Sequence, residues 1–167
     1  TMRNHLKDIV KKVIKPGGVL LDIGSNDGTL LDIAEQNGME VWGVEPSDAL
    51  KDAPLNIKEK TVNMFFGSSE CDQFFQNKKV KFDVITAISM FYDVSEPLKF
   101  IEKARDLLTP DGLILIEVNY AKSFFERQNV DMLGQEHLIY YFIETFDDLI
   151  SKANLFINDA YLTDMNG

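Results

Sequence analysis

The segment Asp22-Ile23-Gly24-Ser25-Asn26-Asp27-Gly28 holds the densest chemistry in the chain. An acid sits near the end of a hydrophobic run, and two glycines follow before the pattern turns helical. Glycine tolerates positive φ and lets a ligand approach the backbone closely, and the helix behind it offers unpaired N–H groups. The spacing is Gly-x-x-x-Gly, with Asn26 standing where the Gly-x-Gly-x-x-Gly of dinucleotide sites wants glycine. A second acid, Glu45, follows in Val41-Trp42-Gly43-Val44-Glu45-Pro46-Ser47. An acid about 20 residues beyond such glycines can accept both hydroxyls of a ribose. Asp22 is placed to meet an amine, whereas a pyrophosphate would be repelled by Asp22 and Asp27. The set describes a cationic nucleoside without phosphate, and S-adenosylmethionine (SAM) fits that description.

The elements that position these residues alternate between strand-like and helix-like patterns, the mark of an α/β domain with a parallel sheet. Residues 4–15 carry Leu6, Ile9, Val10, Val13 and Ile14 on one helical face, stopped by Pro16-Gly17-Gly18. Strands are predicted at Val19–Ile23, Met39–Val44, Lys60–Phe66 (the weakest), Phe82–Ile88, Leu113–Val118 and Leu155–Leu162. Helices are predicted at Thr29–Gln36, from Ser68 towards Lys78, from Ser95-Glu96-Pro97 through Leu108, and at Thr145–Ala153. Thr109-Pro110-Asp111-Gly112 reads as a turn, and residues 120–143 as a long connection on the substrate side. Phe100, Phe146 and Phe156 are the expected aromatic core. Six strands with intervening helices make a Rossmann-like, doubly wound, mostly parallel sheet with helices on both faces. Ligands on such sheets bind outside the carboxyl ends of the strands, so the loops after Ile23, Val44, Phe66, Ile88 and Val118 should carry the chemistry.

Composition narrows the class. The chain has 167 residues, which fits one domain spanning 1–167. Lys and Arg total 17 against 27 Asp and Glu, a net charge of −10. An acidic surface is a poor partner for nucleic acid. One cysteine, Cys71, excludes an internal disulfide and a Cys-rich zinc site, and suits a reducing cytoplasm. The longest aliphatic run, Leu113-Ile114-Leu115-Ile116, is far short of the roughly 20 residues that cross a bilayer. Met2 is followed by the polar Arg3-Asn4-His5, so no signal peptide is expected.

The segments Asp22–Leu31 and Gly43–Ser47 resemble class I SAM-dependent methyltransferases, and more narrowly the methyltransferase domain of the nucleotide-sugar C-methyltransferase family. Further matching segments are Met90-Phe91-Tyr92-Asp93-Val94-Ser95-Glu96-Pro97, Leu108–Gly112 with Glu117-Val118-Asn119-Tyr120, Glu136-His137-Leu138-Ile139-Tyr140-Tyr141, and the tail Leu162–Gly167. The resemblance implies that Asp22, Gly24, Ser25, Asn26, Asp27 and Gly28 cradle the methionine part of SAM. It implies that Glu45 holds the ribose, with Pro46 and Ser47 shaping that edge. Phe65 or Phe66 would lie near the adenine, and Ile88, Ser89 and Met90 would line the passage to the methyl group. His137 would be the general base, since an imidazole accepts a proton near neutrality, and Glu136 beside it would bind substrate or tune the site. Tyr92, Asp93, Glu117, Asn119 and Tyr120 would bind the sugar. The expected partner is a small sugar, nucleotide-linked or a polysaccharide precursor.

Three departures bear on that reading. The family's Cys-rich zinc-binding region and its C-terminal sugar-binding domain have no counterpart in these residues, so the last strand of the fold is expected to be missing. A Tyr that helps to enolise a keto-sugar commonly stands three residues before the His, and here that position is Gly134. O-methylation therefore stands beside C-methylation. The alternatives are a non-catalytic SAM-binding module, a small-molecule O- or N-methyltransferase, an NAD(P) enzyme (disfavoured by the glycine spacing) and a metal-dependent enzyme using Asp93, Glu117 and Asn119.

Overall fold

The apolar residues Leu6, Ile9, Val10 and Val13 recur at helical spacing and form the buried face of helix α1 (Met2–Val13). The computed structural model describes residues 1–123 and 137–163. Gly17 reverses the chain at φ +78, and strand β1 (Val19–Ile23) follows, every residue but Val19 buried. Gly28, at φ +73, is the N-cap of α2 (Thr29–Gln36), and Asp27 Oδ1 before it accepts the Thr29 N–H at 3.0 Å in a tight turn. Next come β2 (Glu40–Val44), a short 3-10 turn (Asp48–Asp52), α3 (Leu55–Lys58) and β3 (Thr61–Val62). Helix α4 (Ser69–Lys78) is capped by Ser68, whose Oγ accepts the Cys71 N–H. The chain continues through β4 (Phe82–Ile88), a 3-10 turn (Phe91–Asp93), α5 (Pro97–Leu107), β5 (Leu108–Glu117) and α6 (Ile143–Lys152). Pro97 sits in the first turn of α5, where its missing N–H costs nothing.

Every ladder is parallel, and the strand order is β3-β2-β1-β4-β5. The two halves of the sheet diverge between β1 and β4, and their carboxyl ends frame the crevice where such folds bind ligands. Strand alternation feeds two cores. Leu20 and Val84 face the layer that contains α1, α2 and α3, where Leu6, Ile9, Val10, Leu31 and Ile57 are buried. Leu21 and Ile85 face the opposite layer, which holds Phe75 of α4, Ile101 of α5 and Ile150 of α6. The doubly wound parallel architecture expected from the sequence is the one observed.

Three elements differ from expectation. Leu155–Leu162 forms no strand. Leu155 and Ile157 pack against the core while Phe156 between them is 77 % exposed, so the in-out alternation is real, but among the described residues no strand pairs with it. Phe156 is accordingly a surface residue and not part of the aromatic core, whereas Phe100 is buried and Phe146 packs against Phe91 and Tyr141. Strand β3 is confined to Thr61 and Val62, because the chain turns away at Met64, whose N–H bonds back to Val62 O, and again at Gly67, at φ +85. Strand β5 starts at Leu108, ahead of the expected turn. Phe82 pairs with Leu108 and Val84 with Leu113, which leaves Thr109–Gly112 bulged opposite Asp83. Among the described residues no helix is long and apolar enough to cross a membrane.

Candidate active site

Asp22 is the register partner of Thr86 on β4, and both lie in the buried middle of the sheet. Thr86 Oγ1 donates to Asp22 Oδ1 at 2.7 Å. Burial pushes the Asp22 carboxyl up to about 7; the Thr86 bond pulls it down and the nearby Glu45 charge pushes it up. Two residues later the backbone enters the left-handed region at Gly24, Asn26 and Gly28. At Gly28 a Cβ would stand 2.5 Å from Cγ2 of the fully buried Ile57, so no larger residue fits. At Gly24 a Cβ would stand 3.0 Å from Met90 Cγ, across the crevice from the turn after β4.

Glu45 directly follows the last residue of β2 and is 5 % exposed. Its Oε2 accepts the Asn26 N–H and its Oε1 accepts the Ser47 N–H, both at 2.7 Å. One carboxylate thus ties the loop after β1 to the loop after β2. Each oxygen keeps a second lone pair for a ligand hydroxyl. Asn63 Nδ2 donates to Glu45 O at 2.8 Å and fixes the same turn from β3. Ser25 Oγ, in a residue 4 % exposed, has no hydrogen-bond partner among the described residues. Left-handed glycines, an unsatisfied buried hydroxyl and two buried acids fit a ligand that brings its own donors and positive charge. Of the two rings after β3, Phe66 packs on Phe100 at 4.9 Å between centroids, while Phe65 is exposed.

The second half of the site forms around the carboxyl ends of β4 and β5. Tyr92 O accepts the N–H groups of Leu138 and Ile139, both at 3.1 Å, and Ala121 N–H donates to Tyr141 O at 2.9 Å. Tyr120 and Tyr141 form a parallel bridge. These bonds pin the segment 137–141 between the two strand ends. His137 is thereby held with its ring 4.1 Å from that of Tyr92, and its Nδ1 lies 3.4 Å from Asn119 Nδ2. Asn119 is 8 % exposed and its Oδ1 has no partner among the described residues. Burial holds the Tyr92 phenol above its ordinary range, with Asp93 and Glu117 adding to the effect. The structure therefore gathers Tyr92, Asn119 and His137 at one spot. Ser89 Oγ donates to Glu117 Oε1 at 3.0 Å, which adds Glu117 and joins this cluster to the turn carrying Met90. Ile88 is half-buried at the end of β4. Glu136 lies outside the described residues, as does Gly134.

Sequence reasoning missed Thr86, Asn63 and His5. Thr86 lies inside an apolar strand, and its place beside Asp22 depends on register. His5 Nε2 meets Glu117 Oε2 at 2.5 Å across 112 positions of sequence. The available signal was helical: His5 is one turn before Ile9, on the buried side of α1.

A methyltransferase-domain family profile matches residues 1–157. The chain belongs to this family. Among curated relatives, the C-methyltransferase NovU of Streptomyces niveus is 23% identical over 98% of this chain and 40% of its own length. A ubiquinone biosynthesis O-methyltransferase of Actinobacillus pleuropneumoniae is 30% identical over 59% of the chain and 44% of its own length. The chain thus spans about half or less of these relatives. Among solved structures, a SAM-dependent methyltransferase from Archaeoglobus fulgidus superposes with a TM-score of 0.70 at 16% identity, covering 90% of this chain and 68% of that one. The plantazolicin methyltransferase BpumL in complex with S-adenosylhomocysteine (SAH) gives 0.62 at 19% identity, covering 89% and 60%. Both likenesses support the class I methyltransferase fold of this domain.

Proposed function

We propose that this methyltransferase domain carries a methyl group from SAM to a small sugar, nucleotide-linked or a polysaccharide precursor, with His137 as the general base. The observation that carries the reading is the His137–Asn119–Tyr92 cluster on the same edge of the sheet as the Gly24 loop. Asp22, Gly24, Ser25 and Gly28 would hold the methionine part of SAM, and Glu45 its ribose. Bound there, SAM supplies an electrophilic methyl on a sulfonium.

Little else is asked of the protein beyond orientation and removal of one proton. The Asn119 amide can present either its nitrogen or its oxygen to His137 Nδ1. With the oxygen forward, Nδ1 carries the proton, and Nε2 keeps the lone pair that a base needs. Tyr92, protonated and ring to ring with the imidazole, fixes its plane and offers an O–H to an acceptor oxygen. A hydroxyl acceptor requires only this base and its orientation. Carbon methylation requires in addition that a proton next to a carbonyl be removed, and His137 serves for that as well. The match to the C-methyltransferase NovU along 98% of the chain supports methylation at carbon, and the resemblance of the segments around Tyr92, Asn119 and His137 to nucleotide-sugar C-methyltransferases supports the sugar. A second reading, O-methylation of a ring-bearing small molecule, is supported by the aromatic wall that Tyr92 and Tyr140 build around His137.

Methyl transfer from labelled SAM to a panel of nucleotide-linked sugars tests the proposal. His137→Ala is expected to lower transfer by roughly 10²-fold or more while SAH affinity stays within about twofold of wild type. Unchanged transfer in His137→Ala would remove the base from the mechanism.

A further inference from the structure

His5 belongs to α1, a helix the proposed chemistry leaves unused. Its Nε2 lies 2.5 Å from Glu117 Oε2, and each of the two side chains is 11% exposed. Glu117 is reached from α1 because strand alternation puts it on the same face as Leu115, which packs in the α1 layer. Its other oxygen accepts the Ser89 hydroxyl at 3.0 Å, and its carbonyl accepts the Ser89 N–H at 3.1 Å. Ser89 stands at φ +54, a left-handed conformation that residues other than glycine adopt at a cost and that surrounding bonds must enforce. The next residue, Met90, is the one that closes on Gly24. A continuous chain of contacts therefore runs from α1 through Glu117 and the Ser89 turn to the glycine loop.

We propose that His5 is a positioning residue: through Glu117 it holds the Ser89 turn, and with it the Met90 wall of the cofactor cradle, so that a docked α1 is required for tight SAM binding. This rests on the SAM reading of the Gly24 loop. The donor N–H, rather than the bulk of the ring, is what matters. Glutamine keeps a donor at about the reach of Nε2, phenylalanine keeps the ring alone, and alanine keeps neither.

The test is calorimetric titration of the whole chain with SAH for wild type, His5→Gln, His5→Phe and His5→Ala, with amide hydrogen exchange recorded for each. Phe and Ala variants are expected to lose roughly tenfold in affinity, and Gln to stay within about threefold of wild type. Exchange in α1 should speed up in the Phe and Ala variants and not in Gln, while β1 and β4 stay protected. Phe binding as tightly as wild type, or Gln as weakly as Ala, would overturn the proposal by making the role one of packing. A wild type that bound no SAH would overturn the cofactor reading instead, and the order of α1 exchange would still decide whether the His5 donor docks the helix.

Discussion

At the residue scale the candidate site turns on two buried carboxylates that have no basic partner among the described residues. Glu45 is satisfied by two backbone N–H groups. Asp22 accepts from the Thr86 hydroxyl, its one side-chain donor among the described residues, and burial raises its carboxyl from 3.8 to about 7. The folded chain therefore holds a proton on Asp22 that the unfolded chain has released between about pH 4 and 7. By linkage, stability of the unliganded protein falls as pH rises through that window. Asp22→Asn removes the titration, so its melting temperature should exceed that of wild type at pH 8 and lose this part of the pH dependence. Thermal melts at pH 5 and pH 8 check both points. The sign reverses for the ligand: in the proposed site an ionised Asp22 would attract the cofactor's ammonium, so SAH should bind wild type more tightly at pH 8 than at pH 6. A wild type that melts higher at pH 8 than Asp22→Asn would show that the carboxylate is not destabilising.

At the scale of elements, the loop between β1 and α2 sets the geometry. Gly28 occupies φ +73, and its Cα faces Ile57 of α3. Gly28→Ala adds both left-handed strain and overlap with a buried side chain, together about 2–4 kcal/mol. At roughly 2–4 °C per kcal/mol for a domain of this size, the melt should fall by about 5–15 °C, and an unchanged melt would mean that α3 moves aside freely. This loop was legible in the sequence because its signals are local: an apolar run, an acid, two glycines and a helical pattern starting at Thr29. Strand β1 and helix α2 accordingly end where the pattern says they do. Leu155–Leu162 misled for the same reason. Alternation records which side chains face the core, but a strand also needs a backbone to pair with, and that is a property of the whole sheet. The bulge at Thr109–Gly112 shows the opposite case, since a turn sequence was accommodated inside a strand. His5 was hidden because nothing local in a polar helix start points to Glu117.

At the scale of the molecule, a five-stranded parallel sheet brings acids from β1, β2 and β5 to one edge, in a chain whose net charge is −10. Beside the glycine loop, the acids Asp22 and Glu45 favour a cationic cofactor over an anionic one. The chain matches 40% of the length of NovU and 44% of that of an O-methyltransferase relative. In the proposed mechanism the acceptor half would depend on His137, Asn119 and Tyr92. The account stands first on the cofactor site, and calorimetric titration with SAH of wild type and Glu45→Ala tests it most directly. Micromolar binding to wild type, weakened at least tenfold in Glu45→Ala, is the expected result. Equal affinity in the two proteins, or no heat of binding to wild type, would contradict it.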